Sequence, residues 1–208
     1  MLNNSYLCLF VILGCFLYAN FLENFKNDKK EAVNVYKSTC DTYNHAKACS
    51  QLGQCYLNGV GTEANLPTAL HFYLKSCLEA KGLPIEKAIA CSNSGDIILH
   101  GGDKNIKRDE ELAERVLDIA CKSSLSRGCM LSAEHLISKK RWTQAIKYLD
   151  SACLLNEKPA CEMLVQIYNG SVENTGIKPD PELEAKYKDK AAEIKLQMEN
   201  EMRFSVYT

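Results

Sequence analysis

The feature that most constrains this chain is a spacing that recurs four times. An alanine is followed four residues on by tyrosine or leucine, and four residues later by cysteine. The copies are Ala32-Tyr36-Cys40, Ala69-Tyr73-Cys77, Ala113-Leu117-Cys121 and Ala145-Leu149-Cys153. Positions i, i+4 and i+8 share one stripe of an α-helix, so each copy predicts a helix, termed helix B. Its alanine lets a neighbouring helix approach closely, and its cysteine falls near the helix end. From cysteine to cysteine the period is 37, 44 and 32 residues, the range of helical hairpin repeats.

After each helix B cysteine come a short polar turn and a second cysteine. The resulting pairs are Cys40 with Cys49, Cys77 with Cys91, Cys121 with Cys129, and Cys153 with Cys161. The second cysteine opens helix A, which carries apolar or small residues three, four and seven positions on. These are Leu52, Gly53 and Tyr56, then Ser94, Gly95 and Ile98, then Ser132, Ala133 and Leu136, then Leu164, Val165 and Tyr168. Gly53 and Gly95 each lower helix propensity by about 1 kcal/mol against alanine, and close helix packing is the expected compensation. "NGVG" and "HGG" predict the turns between helix A and helix B, and Pro67 marks a helix start. Glu110 and Glu111 place acids in a first turn, where the helix dipole favours them. No segment sustains period-two alternation, so no sheet is expected.

The pattern "A-C-x-x-L-G-x-x-Y-x-x-G-x-G" followed by "A-x-x-x-Y-x-x-x-C" resembles the Sel-1-like repeat in its cysteine-rich form, the Hcp family. The resemblance runs from about Cys15 to Val206. It implies an all-α, right-handed superhelix of tetratricopeptide-like hairpins cross-linked by disulfides. The stretches "FLENFKNDKKEAVNVYKSTC" and "ACSQLGQCYLNGVG", the long insert before "ACSNSGDIILHGG", and the cysteine-free helix "PELEAKYKDKAAEIKLQMENEMRFSV" are similar to a eukaryotic branch. That branch serves assembly of cytochrome c oxidase, respiratory complex IV, in the mitochondrial intermembrane space. It opens on a polar, cysteine-bearing segment, whereas this chain opens on an apolar run.

Eleven cysteines in 208 residues call for disulfides or metal. A zinc site needs short ligand pairs such as C-x-x-C, and none is present. The four full pairs each join the end of one helix to the start of the next, a geometry suited to structural disulfides. Cys15, Tyr18, Ala19 and Leu22 repeat the helix A spacing, so Cys15 is the helix A cysteine of a first, truncated repeat, with Cys8 as candidate partner. Cys55 is left over, six past Cys49, and is expected as a buried free thiol.

The N-terminal run Tyr6 to Leu22 stands open between a signal, a membrane anchor and a repeat remnant. Residues 1–14 are therefore set apart from the array at 15–203, which closes with a polar capping helix at 180–202. His45, His71, His100 and His135 fall at different phases and are expected at the surface or in turns. Trp142 opens a helix B as a packing residue, and "GVGTEA" follows a helix rather than a strand, which makes it a false dinucleotide fingerprint. With 25 basic and 26 acidic residues the chain shows no nucleic-acid footprint.

The fold suits a monomeric, non-enzymatic scaffold with a protein partner, and the resemblance implies a place in the intermembrane space and in complex IV assembly. Positions two, five, six and nine past the helix A cysteine would line a concave face. They include Gln51, Gln54, Asn58, Asn93, Asp96, His100, Glu134, His135 and Gln166. No catalytic or metal residue is assigned. No cofactor is assigned either, since haem would have no C-x-x-C-H. The alternative is an adaptor of the secretory pathway, cleaved near residue 19 and glycosylated at Asn169, one of two sequons with Asn3. A thiol oxidoreductase working through Cys55, or a β-lactamase-like enzyme, ranks below both. The second gains nothing from a chain without S-x-x-K, G-x-S-x-G or H-E-x-x-H.

Overall fold

The computed structural model describes residues 12–205, and every named element among them is helical. In chain order these are α1 (Ile12–Asn24), α2 (Lys29–Tyr43), α3 (Ala46–Asn58), α4 (Leu66–Leu74), α5 (Pro84–His100), α6 (Glu110–Lys122), α7 (Ser126–Ser138), α8 (Trp142–Leu154), α9 (Lys158–Tyr168) and α10 (Pro181–Ser205). Helix α4 continues through one wider π turn, Lys75–Glu79. The chain divides into two compact units between Ser123 and Ser124. The first holds the hairpins α1–α2, α3–α4 and α5–α6; the second holds α7–α8 and α9–α10. The division expected after residue 14 falls inside α1, and the expected capping helix spans Pro181–Ser205.

Local signals set the helix ends. Asp28, Asn65 and Asp109 cap α2, α4 and α6 through side-chain oxygens that accept backbone N–H groups, and His45 caps α3 through a ring nitrogen. Pro67 stands in the first turn of α4, and Glu110 and Glu111 in that of α6. Gly59 and Gly61 both adopt φ +69 in the turn after α3. A Cβ on Gly61 would stand 2.2 Å from the Lys29 carbonyl oxygen, so this turn folds onto the start of α2 only because glycine is there.

The helix B stripes make the core. Ala32, Tyr36, Ala69, Tyr73, Ala113, Leu117, Ala145 and Leu149 are all buried. Gly53 and Gly95 supply the close packing they were expected to supply. A Cβ on Gly53 would lie 2.9 Å from the Tyr73 ring, and one on Gly95 would lie 2.5 Å from Leu117.

Disulfides join Cys40 to Cys49, Cys77 to Cys91 and Cys153 to Cys161, with Cα–Cα separations of 4.8, 4.8 and 4.9 Å. Each lies within the span a relaxed bridge allows. Cys15, Cys121 and Cys129 are disulfide-bonded as well. Cys8, the expected partner of Cys15, lies outside the described residues.

Two features add to the sequence reading. The first is in the apolar N-terminal run. Cys15, Phe16, Ala19 and Leu22 on α1 are buried; Phe16, Ala19 and Leu22 share one core with Ala32, Val33 and Tyr36. Rings of Phe16 and Tyr36 lie 5.9 Å apart, and the Tyr36 hydroxyl donates to Glu23 at 3.0 Å. Helix α1 ends before helix B begins: Asn27 takes φ +53 and Asp28 starts a separate helix. Among the described residues no helix is long and apolar enough to cross a membrane.

The second is a strap between turns. The π turn carries Cys77 and releases the chain so that Lys81 meets the turn after α2. Lys81 N–H donates to the Asn44 carbonyl at 2.7 Å, and Ala46 N–H to the Lys81 carbonyl at 2.8 Å. The Ser76 hydroxyl donates to the Ala46 carbonyl at 2.7 Å, and the Asn44 amide to the Glu79 carbonyl at 3.1 Å. Asn44 holds the left-handed conformation that ends α2, a position asparagine tolerates.

Candidate functional site

Counted from the helix A cysteine, the columns separate cleanly. Position six holds Cys55, Ile97, His135 and Ile167, none more than 8% exposed. Glu134, Asn58, His100 and Gln166 are exposed, and Gln51, Gln54, Asn93 and Asp96 are half-buried. His135 is therefore not a surface residue on the polar face, as its polarity suggested; it belongs to a buried column. The reason is its register, six past the helix A cysteine, which it shares with the buried Cys55, Ile97 and Ile167. The buried arc is wider than a single amphipathic stripe.

In the first unit the polar columns of α3 and α5 lie on adjacent helices. Gln51, Gln54 and Asn58 come from α3, and Asn93, Asp96 and His100 from α5. Gln54 is held in place, since its side-chain oxygen accepts the Tyr73 hydroxyl at 3.0 Å. His100 Nδ1 lies 3.0 Å from Asp96 Oδ1, one helical turn away, with both groups open to solvent. In the second unit Glu134 and Gln166 are exposed on α7 and α9. The polar columns thus offer amides, carboxylates and one imidazole. These are donors and acceptors suited to backbone and polar side chains of a bound segment. Tyr73 as the clamp of Gln54 escaped the sequence reading, although its place on the helix B stripe was known; the missing signal was that an OH at the end of a buried ring must find a partner.

Cys55 is a free thiol and is buried. Burial, with the Glu23 carboxylate nearby, pushes its pKa up to about 12. A reactive thiol is favoured by the opposite shift. Tyr36 is likewise driven upward, chiefly by burial and then by Glu23. Among the described residues no group of three or more His, Cys, Asp or Glu side chains is placed to hold a metal ion. The other histidines divide by context: His71 and His100 are exposed, while His45 is half-buried and accepts the Ala48 N–H through Nδ1 at 3.3 Å.

The Sel1 repeat model matches residues 46–80 and 88–122, which are α3 to the π turn and α5 to α6. The cytochrome c oxidase assembly factor 7 of Xenopus tropicalis is 28% identical over 200 residues, covering 92% of this chain and 84% of that protein. A Drosophila melanogaster homolog of that factor is 34% identical over 89 residues, covering 41% of this chain and 31% of that protein. Among solved structures, a Sel1 repeat protein from Oxalobacter formigenes superposes with TM-score 0.55 at 21% identity, over 78% of this chain and 62% of its own. The protective antigen c5321 of uropathogenic Escherichia coli, which has an SLR fold, reaches 0.64 at 16% identity, over 80% of this chain and 34% of its own. The chain spans less than two thirds of either solved protein, and at these identities both speak to fold alone. Helical hairpins of repeat length, cysteine bridges between consecutive hairpins and small residues at the helix crossings accompany the two Sel1 repeats that this chain carries at residues 46–80 and 88–122.

Proposed function

We propose that the chain is a scaffold for assembly of cytochrome c oxidase, located in the mitochondrial intermembrane space and acting by holding a protein segment rather than by catalysis. The observation that carries this reading is the match to the Xenopus tropicalis assembly factor along 92% of the chain. The polar columns of α3 and α5 are the surface we assign to the partner in the first unit, with Gln51, Gln54, Asn58, Asn93, Asp96 and His100 as contacts. Glu134 and Gln166 are the corresponding contacts in the second. An oxidising compartment suits the bridges at Cys40–Cys49, Cys77–Cys91 and Cys153–Cys161. The raised pKa of Cys55 argues against a nucleophilic role for it.

The test is a null allele in cells that express the protein, complemented with a tagged full-length chain. Reduced cytochrome c oxidase activity restored by the tagged chain is expected, as is protection of the tag from protease until the outer mitochondrial membrane is opened. Normal oxidase activity in a verified null would overturn the assembly role. A chain that carries glycan on Asn169 would overturn the location.

A further inference from the structure

His45 stands between α2 and α3, and its imidazole serves as a helix cap. Nδ1 accepts the Ala48 N–H at 3.3 Å, which requires a lone pair on that nitrogen. The strap grips the same residue on both sides. Lys81 N–H donates to the carbonyl of Asn44, one residue before His45; Ala46 N–H, one residue after it, donates to the Lys81 carbonyl. Gly82 comes next. A Cβ there would lie 2.7 Å from the Ala46 Cβ and 2.9 Å from Oε2 of Glu86, so the strap, the start of α3 and Glu86 meet at one point. Glu86 Oε2 in turn accepts the Leu83 N–H at 3.1 Å and caps α5.

The surroundings favour a neutral ring. The Phe16 ring of α1 lies 6.0 Å from the imidazole, and the Lys47 ammonium of α3 sits 4.8 Å from that same phenyl ring. Burial holds the His45 pKa below 6.5; the Glu86 carboxylate of α5 opposes this, and Lys47 adds to it. Asp41 at the end of α2 and Lys75 at the start of the π turn pair with each other at 2.9 Å, and the Glu79 and Lys81 side chains are exposed. A proton on Nδ1 reverses these roles. Nδ1–H cannot accept the Ala48 N–H, so α3 loses its cap. The imidazolium also draws the Glu86 carboxylate, which must then choose between the ring and the Leu83 N–H.

We propose that His45 and Glu86 make the strap an acid-sensitive clasp, which ties the α4–α5 connection to the α2–α3 turn while the ring is neutral and releases it when the ring is protonated. The closed form keeps the ring neutral, so the open form takes up the proton and acid favours it. A closed form that refused the proton altogether would see its opening constant rise about tenfold per pH unit below 6.5. The clasp belongs to the first unit and stands independently of the partner assigned to the polar columns.

The test is amide hydrogen exchange of the oxidised full-length chain, read by NMR as protection factors at about pH 7.5 and about pH 5.5. Protection of Ala46, Ala48, Lys81 and Leu83 should fall several-fold, up to about tenfold, at the lower pH. Thr68, whose N–H is held by the non-titrating Asn65 side chain at 2.9 Å, should keep its protection. His45→Asn retains a cap acceptor without a titrating ring and should abolish the difference. Glu86→Gln retains an acceptor for Leu83 but removes the charge that favours the imidazolium, so the midpoint should move to lower pH. Gly82→Ala forces the strap away from Ala46 and should bring the His45 titration up toward 6.5, because proton uptake and opening are reciprocal. The proposal is overturned if the four amides lose no more protection than Thr68, or if His45→Asn retains the loss. A midpoint unmoved by Glu86→Gln, or a His45 titration unmoved by Gly82→Ala, would overturn it as well.

Discussion

Gly95 on α5 provides a sharp test of the packing argument. Replacing it with alanine pits two effects against each other. Helix propensity alone would stabilise the chain by about 1 kcal/mol. The added Cβ, however, would stand 2.5 Å from both Cγ and Cδ2 of Leu117, inside van der Waals contact. Leu117 is fully buried and cannot swing aside as a surface side chain would. Overpacking of this kind costs roughly 1–3 kcal/mol, so Gly95→Ala should destabilise by up to about 2 kcal/mol net. Leu117→Ala alone should cost about 2–5 kcal/mol by opening a cavity. In the double variant the new methyl group enters space that Leu117 vacated, so the combined loss should be smaller than the sum by about 1 kcal/mol or more. The assay is urea unfolding followed by circular dichroism, on the oxidised chain and its three variants. The reasoning fails if Gly95→Ala stabilises the protein. It also fails if the two substitutions add to within about 0.5 kcal/mol, as independent sites do.

Other expectations are simpler. His45 is held below its ordinary pKa of 6.5 chiefly by burial, so the folded chain resists a proton that the unfolded chain accepts. Its contribution to stability should be full above pH 6.5 and decline as pH falls through it; His45→Asn, which keeps a cap acceptor but does not titrate, should lose less over that window in thermal melts than the parent. Cys55 should resist iodoacetamide at about pH 8 in the native chain and label only in denaturant, and rapid native labelling at that position would refute its burial. Cys40→Ser with Cys49→Ser should cost roughly 2.5–3 kcal/mol by the loop-entropy argument, read as a lower urea midpoint. A midpoint unchanged from the parent would show that this bridge does not hold the turn. Gly61→Ala combines a positive φ with a clash against the Lys29 backbone, and its midpoint should fall further than that of Gly59→Ala, whose Cβ meets nothing nearer than 3.4 Å.

Much of the fold was legible because the strongest signals were local and repeated. Ala32, Tyr36 and Cys40 lie on one helical stripe whatever surrounds them, and a short polar turn must separate that helix from the one that opens near Cys49. Gly53 and Gly95 were legible for the same reason: a propensity penalty repeated at one register implies a neighbour. The strap from Lys81 to Asn44 was not legible. It is made of backbone groups in two turns far apart in the chain, and backbone groups leave no trace in side-chain patterning. The nature of the N-terminal run was ambiguous because Phe16 and Leu22 carry the same hydrophobicity in a core as in a leader peptide. For the candidate site, the columns with half-buried or exposed amides followed from helical phase. His135 did not, because its polarity suggested a surface where its register, shared with Cys55, Ile97 and Ile167, meant burial.

The bridges Cys40–Cys49, Cys77–Cys91 and Cys153–Cys161 close over separations of only 9, 14 and 8 residues. That sets the order in which such a chain can mature. A polypeptide threaded end-first into an oxidising space presents both partners of each bridge within a few nanometres of contour, and none of these three waits for a distant segment to arrive. Mispairing is then a contest between a near cysteine and a far one, which loop closure decides in favour of the near. Each closed turn leaves the next hairpin a fixed edge to pack on, so translocation and folding can run as one vectorial process.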